Sequence, residues 1–440
     1  MPYRGRHGYI VRSSPPLRRY NPATIKAYTE TPLAVNADDD ARLKAFNSRR
    51  SLEGLTQEDR EQWDDILARQ EARKDARCAP LAEEIESYFE KLELPPLPPP
   101  VAKSSTWFSI MRPRDYEPAE VRPFYVACLD GVLEEVKQWV QERKEILRPI
   151  GVRDGVDLAA MGNQVDVLQY LLEEAAASIS ARAVVAACDN RSLAMFELFL
   201  KHGYHPDQQV PSNGGNFGTA LRHCLDDEAI TILLLENGAD PNVAPMMDGR
   251  RRMWSERAVV PMDRISGLPL DIAMGKSTLA TIKKLLECGA KPKYSRPFER
   301  ILLDRGEYAK EKGIQDDWRA VMELLLDYGA DVNARSWGGG TALGTAVAQG
   351  RWDVAGFLLD HGADPRVKRP DNNEEDAFGT AAKKAGVPWQ ESDQLKRYLD
   401  WLCDGGEGVE APDGAGENPL VRFMEGRKAG EGGAGAAQEA

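Results

Sequence analysis

Few residue groupings in this chain have the types and spacing that chemistry needs. Gly275-Lys276-Ser277-Thr278 has the letters that close a phosphate-binding loop, where backbone N–H groups and the lysine cradle phosphates. That motif needs a glycine five residues before its Gly-Lys, and Leu270 stands there, so the reading preferred is a turn between two helices. His202 and His205 have the spacing of a metal pair. His361 holds the position equivalent to His202, one residue before a recurring glycine, which favours a helix C-terminus whose dipole suits a histidine. No metal or cofactor is expected. Asp226-Asp227-Glu228 reads as a solvated helix cap, and no Ser-His-acid, Cys-His or paired-carboxylate arrangement has local support. A non-catalytic protein is expected, and Arg250-Arg251-Arg252 with Trp254 and Arg257 supplies the residue types enriched where proteins grip each other.

The composition sets bounds on these readings. The 440 residues carry 57 Lys plus Arg against 70 Asp plus Glu, a net charge of -13, and are 42% hydrophobic. Six basic residues and no acid fall in the first 29 positions, leaving -19 on the rest. An acidic body repels a phosphate backbone, so nucleic acid is disfavoured as a partner, although the basic arm keeps a nuclear, nucleic-acid-touching alternative open. No apolar run reaches the roughly 18 residues of a membrane span, and no signal-type apolar core follows the N-terminal arginines. Six cysteines without a Cys-x-x-Cys pair suit reduced thiols in a cytoplasmic or nuclear setting, with Cys128, Cys188 and Cys224 as core.

The elements that must hold the candidate residues appear as five copied strings. They are Gly203-Tyr204-His205-Pro206-Asp207, Gly238-Ala239-Asp240-Pro241-Asn242, Gly289-Ala290-Lys291-Pro292, Gly329-Ala330-Asp331-Val332-Asn333 and Gly362-Ala363-Asp364-Pro365. Each follows a helical stretch with apolar residues at i, i+3 and i+4, as in Val136, Trp139, Val140 or Ile230, Leu233, Leu234. Glycine past a helix end takes the left-handed conformation without a Cβ penalty, and the aspartate then turns the chain. Eight such stripes, the last at Leu395, Tyr398 and Leu399, build no core singly but share one when stacked. A shorter helix precedes each, opening with Gly218-Thr219-Ala220-Leu221, Gly267-Leu268-Pro269-Leu270 or Gly340-Thr341-Ala342-Leu343.

On these strings the chain resembles the ankyrin repeat family, whose unit of about 33 residues is a turn plus two helices. The resemblance spans roughly residues 118 to 403 and implies an all-α solenoid of about eight repeats with β-turn fingers. It implies binding of another protein through the concave face and fingers, by a chain acting as a monomer, without a membrane. Carried over by position, Arg335 and Trp337 lie on the seventh finger, while Lys276 and Gln349 end first helices. Gly203, Gly238, Asp240, Gly289, Gly329, Asp331, Gly362 and Asp364 are the structural turn residues. The family's motif histidine is replaced by Tyr125, Asp157, Arg222, Asp271 and Gly344, which leaves the inter-repeat hydrogen bonds it supports without their usual donor. Uneven glycine spacing places one insertion at about Met246 to Arg264 and a smaller one near Asp304 to Gln315. For the arginine and tryptophan cluster, the competing reading is a flexible surface loop, or Trp254 folded back onto the groove.

The flanks read differently. Residues 1 to 37 are expected to be a disordered basic arm, 38 to 94 a charged helical region, 95 to 117 a proline-rich spacer and 404 to 440 a disordered Gly/Ala/Glu tail. Thr56 with Asp59 forms a capping box, and a second helix is expected to begin near Pro80. An enzyme hidden in the first hundred residues would need a core that so short and charged a segment does not provide.

Overall fold

The computed structural model describes residues 36–49, 56–102, 120–211, 217–245, 262–312, 317–335 and 340–367. The arm, the tail and the eighth stripe lie outside the described residues, apart from Asn36 and Ala37 at the start of the first helix. Two helices come first, α1 (Ala37–Arg49) and α2 (Gln57–Lys91). The capping box is present: Asp59 N–H donates to Thr56 Oγ1 at 3.2 Å and Thr56 N–H to Asp59 Oδ2 at 3.1 Å. No second helix begins at Pro80, which sits inside α2. Loss of one i→i−4 bond there is offset by a buried face holding Trp63, Ile66, Cys78, Ile85 and Phe89 on both sides of the proline. Asp39 of α1 accepts from Arg69 at 3.0 Å and Arg73 at 2.8 Å on α2, and these guanidinium bonds hold its carboxyl below the usual range.

Helix pairs follow: α3 (Arg122–Asp130) with α4 (Leu133–Glu142), α5 (Lys144–Met161) with α6 (Val165–Glu173), α7 (Ala181–Asp189) with α8 (Leu193–Lys201), and α9 (Leu221–Cys224) with α10 (Glu228–Glu236). After a two-strand ladder, β1 (Ala244–Pro245) and β2 (Met262–Asp263), come α11 (Leu268–Lys276) and α12 (Leu279–Glu287). The sixth first helix is α13 (Pro297–Arg300), a π turn (Ile301–Arg305) and α14 (Gly306–Lys312), followed by α15 (Trp318–Asp327); α16 (Ala342–Gln349) and α17 (Trp352–Asp360) close the described array. The smaller insertion is thus partly helical: Asp304 and Arg305 lengthen the first helix through the π turn, at whose end Arg305 is buried.

The apolar stripes pack as their spacing requires. Val136, Val167, Met195, Ile230, Ile282, Val321 and Val354 are all buried to 1% exposure or less, each the first residue of its stripe. Burying one such side chain contributes about 1.5–3 kcal/mol, more than any exposed contact on the same helix. Compact packing divides the chain into two units, Met1–Pro269 with Lys283–Ala290, and Leu270–Ile282 with Lys291–Ala440.

The five copied glycines have φ between 75° and 97°. In each case the next N–H bonds back to a carbonyl five residues earlier, as from Ala239 to Leu234 at 3.0 Å and from Ala363 to Leu358 at 2.9 Å. Gly162 is constrained differently: a Cβ there would lie 2.0 Å from the Leu129 carbonyl oxygen, a backbone atom with little freedom to retreat. Gly162→Ala should therefore destabilise the first unit by about 1–3 kcal/mol, read as a lower urea midpoint.

Candidate functional site

Three of the five residues that replace the expected histidine, Tyr125, Asp157 and Asp271, still join neighbouring repeats. Asp157 on α5 accepts a hydrogen bond from Ser180, whose Oγ also caps α7 by accepting from Ala183 N–H at 3.0 Å. Asp271 on α11 accepts from Arg296 N–H at 2.7 Å, ahead of α13. Tyr125 on α3 donates to Asp154 on α5 at 3.3 Å. At these three positions an inter-repeat bond is thus made without the histidine. Burial raises the carboxyls of Asp157 and Asp271 to about 7, against the lowering effects of the Ser180 bond in one and the Arg296 N–H in the other. Arg222 has no such bond, and burial lowers its pKa to about 10.

The fingers carry a second set of bonds between turns. In the first unit Asp207 Oδ1 accepts from Asp240 N–H at 2.9 Å, Asp240 Oδ1 accepts from Asn242 N–H at 2.8 Å, and Asn242 Nδ2 donates to the Gly289 carbonyl at 3.0 Å. The second unit repeats the device: Asn333 Nδ2 donates to the Gly362 carbonyl at 3.0 Å and its Oδ1 accepts from Asp364 N–H at 2.6 Å. The part played by Asn242 and Asn333 was missed in the sequence. Its signal is an asparagine two residues after the turn aspartate.

The candidate partner residues are unevenly placed. Lys276 ends α11 half-buried, Gln349 ends α16 exposed, and Arg335 is exposed on the finger before α16. Arg250, Arg251, Arg252, Trp254, Arg257 and Trp337 lie outside the described residues. What is described of the larger insertion is its base. Ala244 pairs with Asp263 and Pro245 with Met262, and Ser266 N–H donates to the Asn242 carbonyl at 2.8 Å. Arg264, which the spacing placed within the insertion, is 8% exposed and anchored: it pairs with Glu86, donates to the Pro95 carbonyl at 3.3 Å and lies 5.2 Å from the Phe89 ring centroid.

The groupings that suggested chemistry have structural partners. Gly275 lies where a Cβ would come within 2.6 Å of Asp304 Cβ, which accounts for the glycine at this position. Arg305, fully buried, donates to the Met274 and Ser277 carbonyls at 3.1 and 3.0 Å and so satisfies the end of α11. His202 and His361 are the C-cap residues of α8 and α17, and His205 Nδ1 accepts from Asp207 N–H at 3.1 Å. Among the described residues no three His, Cys, Asp or Glu side chains gather as a metal would require, and no helix is long and apolar enough to cross a membrane.

No family model matches the chain. Over 155 residues it is 27% identical to the ankyrin repeat and KH domain-containing protein mask-1 of Caenorhabditis elegans, a match covering 32% of this chain and 6% of that protein. Among solved structures it is similar to the human ASB11 ankyrin repeat domain (19% identity, TM-score 0.35, 50% of this chain and 90% of that one). It is similar also to the ankyrin repeat protein EF0377 (21%, 0.34, 50% and 98%) and to the ankyrin repeat domain of Bcl-3, a member of the IkappaB family (18%, 0.31, 61% and 98%). Paired helices closed by left-handed glycines and Asp/Asn turns bonded to one another give this chain the fold of an ankyrin repeat array, an all-α repeat solenoid.

Proposed function

We propose that the array is a non-catalytic protein-interaction module, a scaffold, adaptor or inhibitor that binds another protein through its concave face and fingers. The observation that carries this reading is the division of labour within the fingers. Their backbone is fixed by bonds among Asp207, Asp240 and Asn242 in one unit and Asn333 and Asp364 in the other, while Arg335 and Gln349 are exposed. Rigid backbone beside exposed side chains is what recognition needs, because little ordering entropy remains to oppose binding. The contacts proposed are Lys276, Arg335, Gln349 and, from the insertion and the seventh finger, Arg250, Arg251, Arg252, Trp254, Arg257 and Trp337. The same reading divides the chain at residues 37, 94, 117 and 403 and places it, as a monomer, in the cytoplasm or nucleus.

Affinity capture from cell extract tests this with three full-length forms: the native chain, a form with 246–261 replaced by Asn-Gly, and Trp337→Ala. Arg264 is kept because it anchors the base of the insertion. The expected result is a protein captured by the native chain and lost or weakened in both variants. Identical capture by all three would remove the finger contacts, and no capture at all would remove the binding reading itself.

A further inference from the structure

The proline-rich segment expected to be a stiff spacer is, over its described part, laid against the fingers of the first unit. Its carbonyls at Pro95 and Pro99 accept from Arg264 (3.3 Å) and from Gln208 Nε2 (2.9 Å). Val101 N–H donates to the Gln209 carbonyl at 3.0 Å, and the Ala102 carbonyl accepts from Ala181 N–H at 2.8 Å beside a parallel bridge to Ser180. The segment therefore passes in turn the end of the β ladder, the finger before α9 and the turn before α7, opposite to the order of the repeats. We propose that this edge, through Arg264, Gln208–Gln209 and Ser180–Ala181, is a binding groove for an extended, proline-rich peptide, and that residues 95–102 fill it in cis.

The recognition is of backbone. All four bonds fall on strap carbonyls or a strap N–H, and Val101, at 5% exposure, is the one strap side chain fully buried. Prolines have no N–H to leave unsatisfied and are already extended, so little entropy is lost when they are laid down. A peptide competing for the groove needs three properties: carbonyls at the spacing of Pro95, Pro99 and Ala102, an N–H at the place of Val101, and a small apolar side chain there. Such a grip is exchangeable. It persists in the native chain because tethering gives the strap an effective concentration on the order of millimolar, so a partner using these fingers must first displace it. The inference rests on the strap contacts and stands whether or not the concave face binds a separate protein.

The test leaves the groove untouched and loosens only the strap. Full-length native chain, Val101→Ala and Val101→Asp are titrated with a fluorescent synthetic peptide of this chain's own residues 92–102, while hydrogen exchange follows the Ala181 amide. The expected order of peptide affinity is Val101→Asp, then Val101→Ala, then native, with at least tenfold between the ends, and with faster Ala181 exchange in the variants. The helical signal of the array should not change, because Val101 belongs to no repeat; if the aspartate variant does lose helix, Val101→Ala against native carries the comparison. Equal peptide affinity across the folded forms overturns the proposal, as does Ala181 protection that the substitutions leave unchanged.

Discussion

Arg305→Met should destabilise the second unit by about 3 kcal/mol or more, seen as a lower urea midpoint with helical structure otherwise kept. Methionine nearly preserves the volume, so the loss reports the guanidinium. That group donates to the Met274 and Ser277 carbonyls and pairs with Asp317 at 2.6 Å. The Met274 carbonyl lies in the last turn of α11 and the Ser277 carbonyl just past it, so removing Arg305 takes a buried charged donor from both, and each buried acceptor that loses its donor costs about 1–3 kcal/mol. Asp317 is 29% exposed, and screening by water and salt makes its share the smaller one. Asp317→Asn should consequently cost much less than Arg305→Met, and 1 M salt should leave the native chain nearly as stable. The reverse order would show that the ion pair, not the helix end, is what Arg305 serves.

Asp157→Asn should raise the stability of the first unit at pH 8 and leave it almost unaltered at pH 4. The Asp157 carboxyl is fully buried and, mainly through desolvation with Asp154 adding to it, holds its proton up to about pH 7, whereas in the unfolded chain it releases it near 3.8. The folded form thus binds the proton more tightly. The stability this confers is complete below about pH 4 and is lost as pH rises through 7. A gap of about three pKa units corresponds to an upper bound of roughly 4 kcal/mol. Asparagine still accepts the Ser180 hydrogen bond and carries no charge to desolvate. Urea midpoints measured from pH 4 to 8 should fall for the native chain and fall less steeply for the variant; parallel curves would sink the argument. Asp271, raised to about 7 by the same desolvation, predicts a matching slope in the second unit.

The helices and turns of this protein were legible because their signals are local. Gly238 and Asp240 sit within six residues of the stripe they terminate, and the physics of a helix end needs nothing farther away. Pro80 misled for the same reason: locally it reads as a helix start, while the buried faces on either side of it, at Ile66 and Cys78 and again at Ile85 and Phe89, carry the helix through. The strap was illegible because Gln208 meets Pro99 across 109 positions and Arg264 meets Pro95 across 169. Nothing in a run of prolines encodes the surface that will receive its carbonyls. Asp157 and Asp271 lie between these cases. Their departure from the family's histidine was visible, but the partners that restore the bond, Ser180 and Arg296, belong to the next repeat. Of the nine partner residues named from the sequence, Lys276, Arg335 and Gln349 fall among the described residues.

The asparagine of the finger also acts as a gauge. Asn333 uses both faces of its amide on the following turn, giving a hydrogen to Gly362 and taking one from Asp364, so the spacing between those two turns is set by the length of a single side chain. Residues at the finger tips can then change without altering that interval. On the binding role proposed above, drift in the tips would rewrite what is recognised, and the interval at which a ligand must present its features would stay the same.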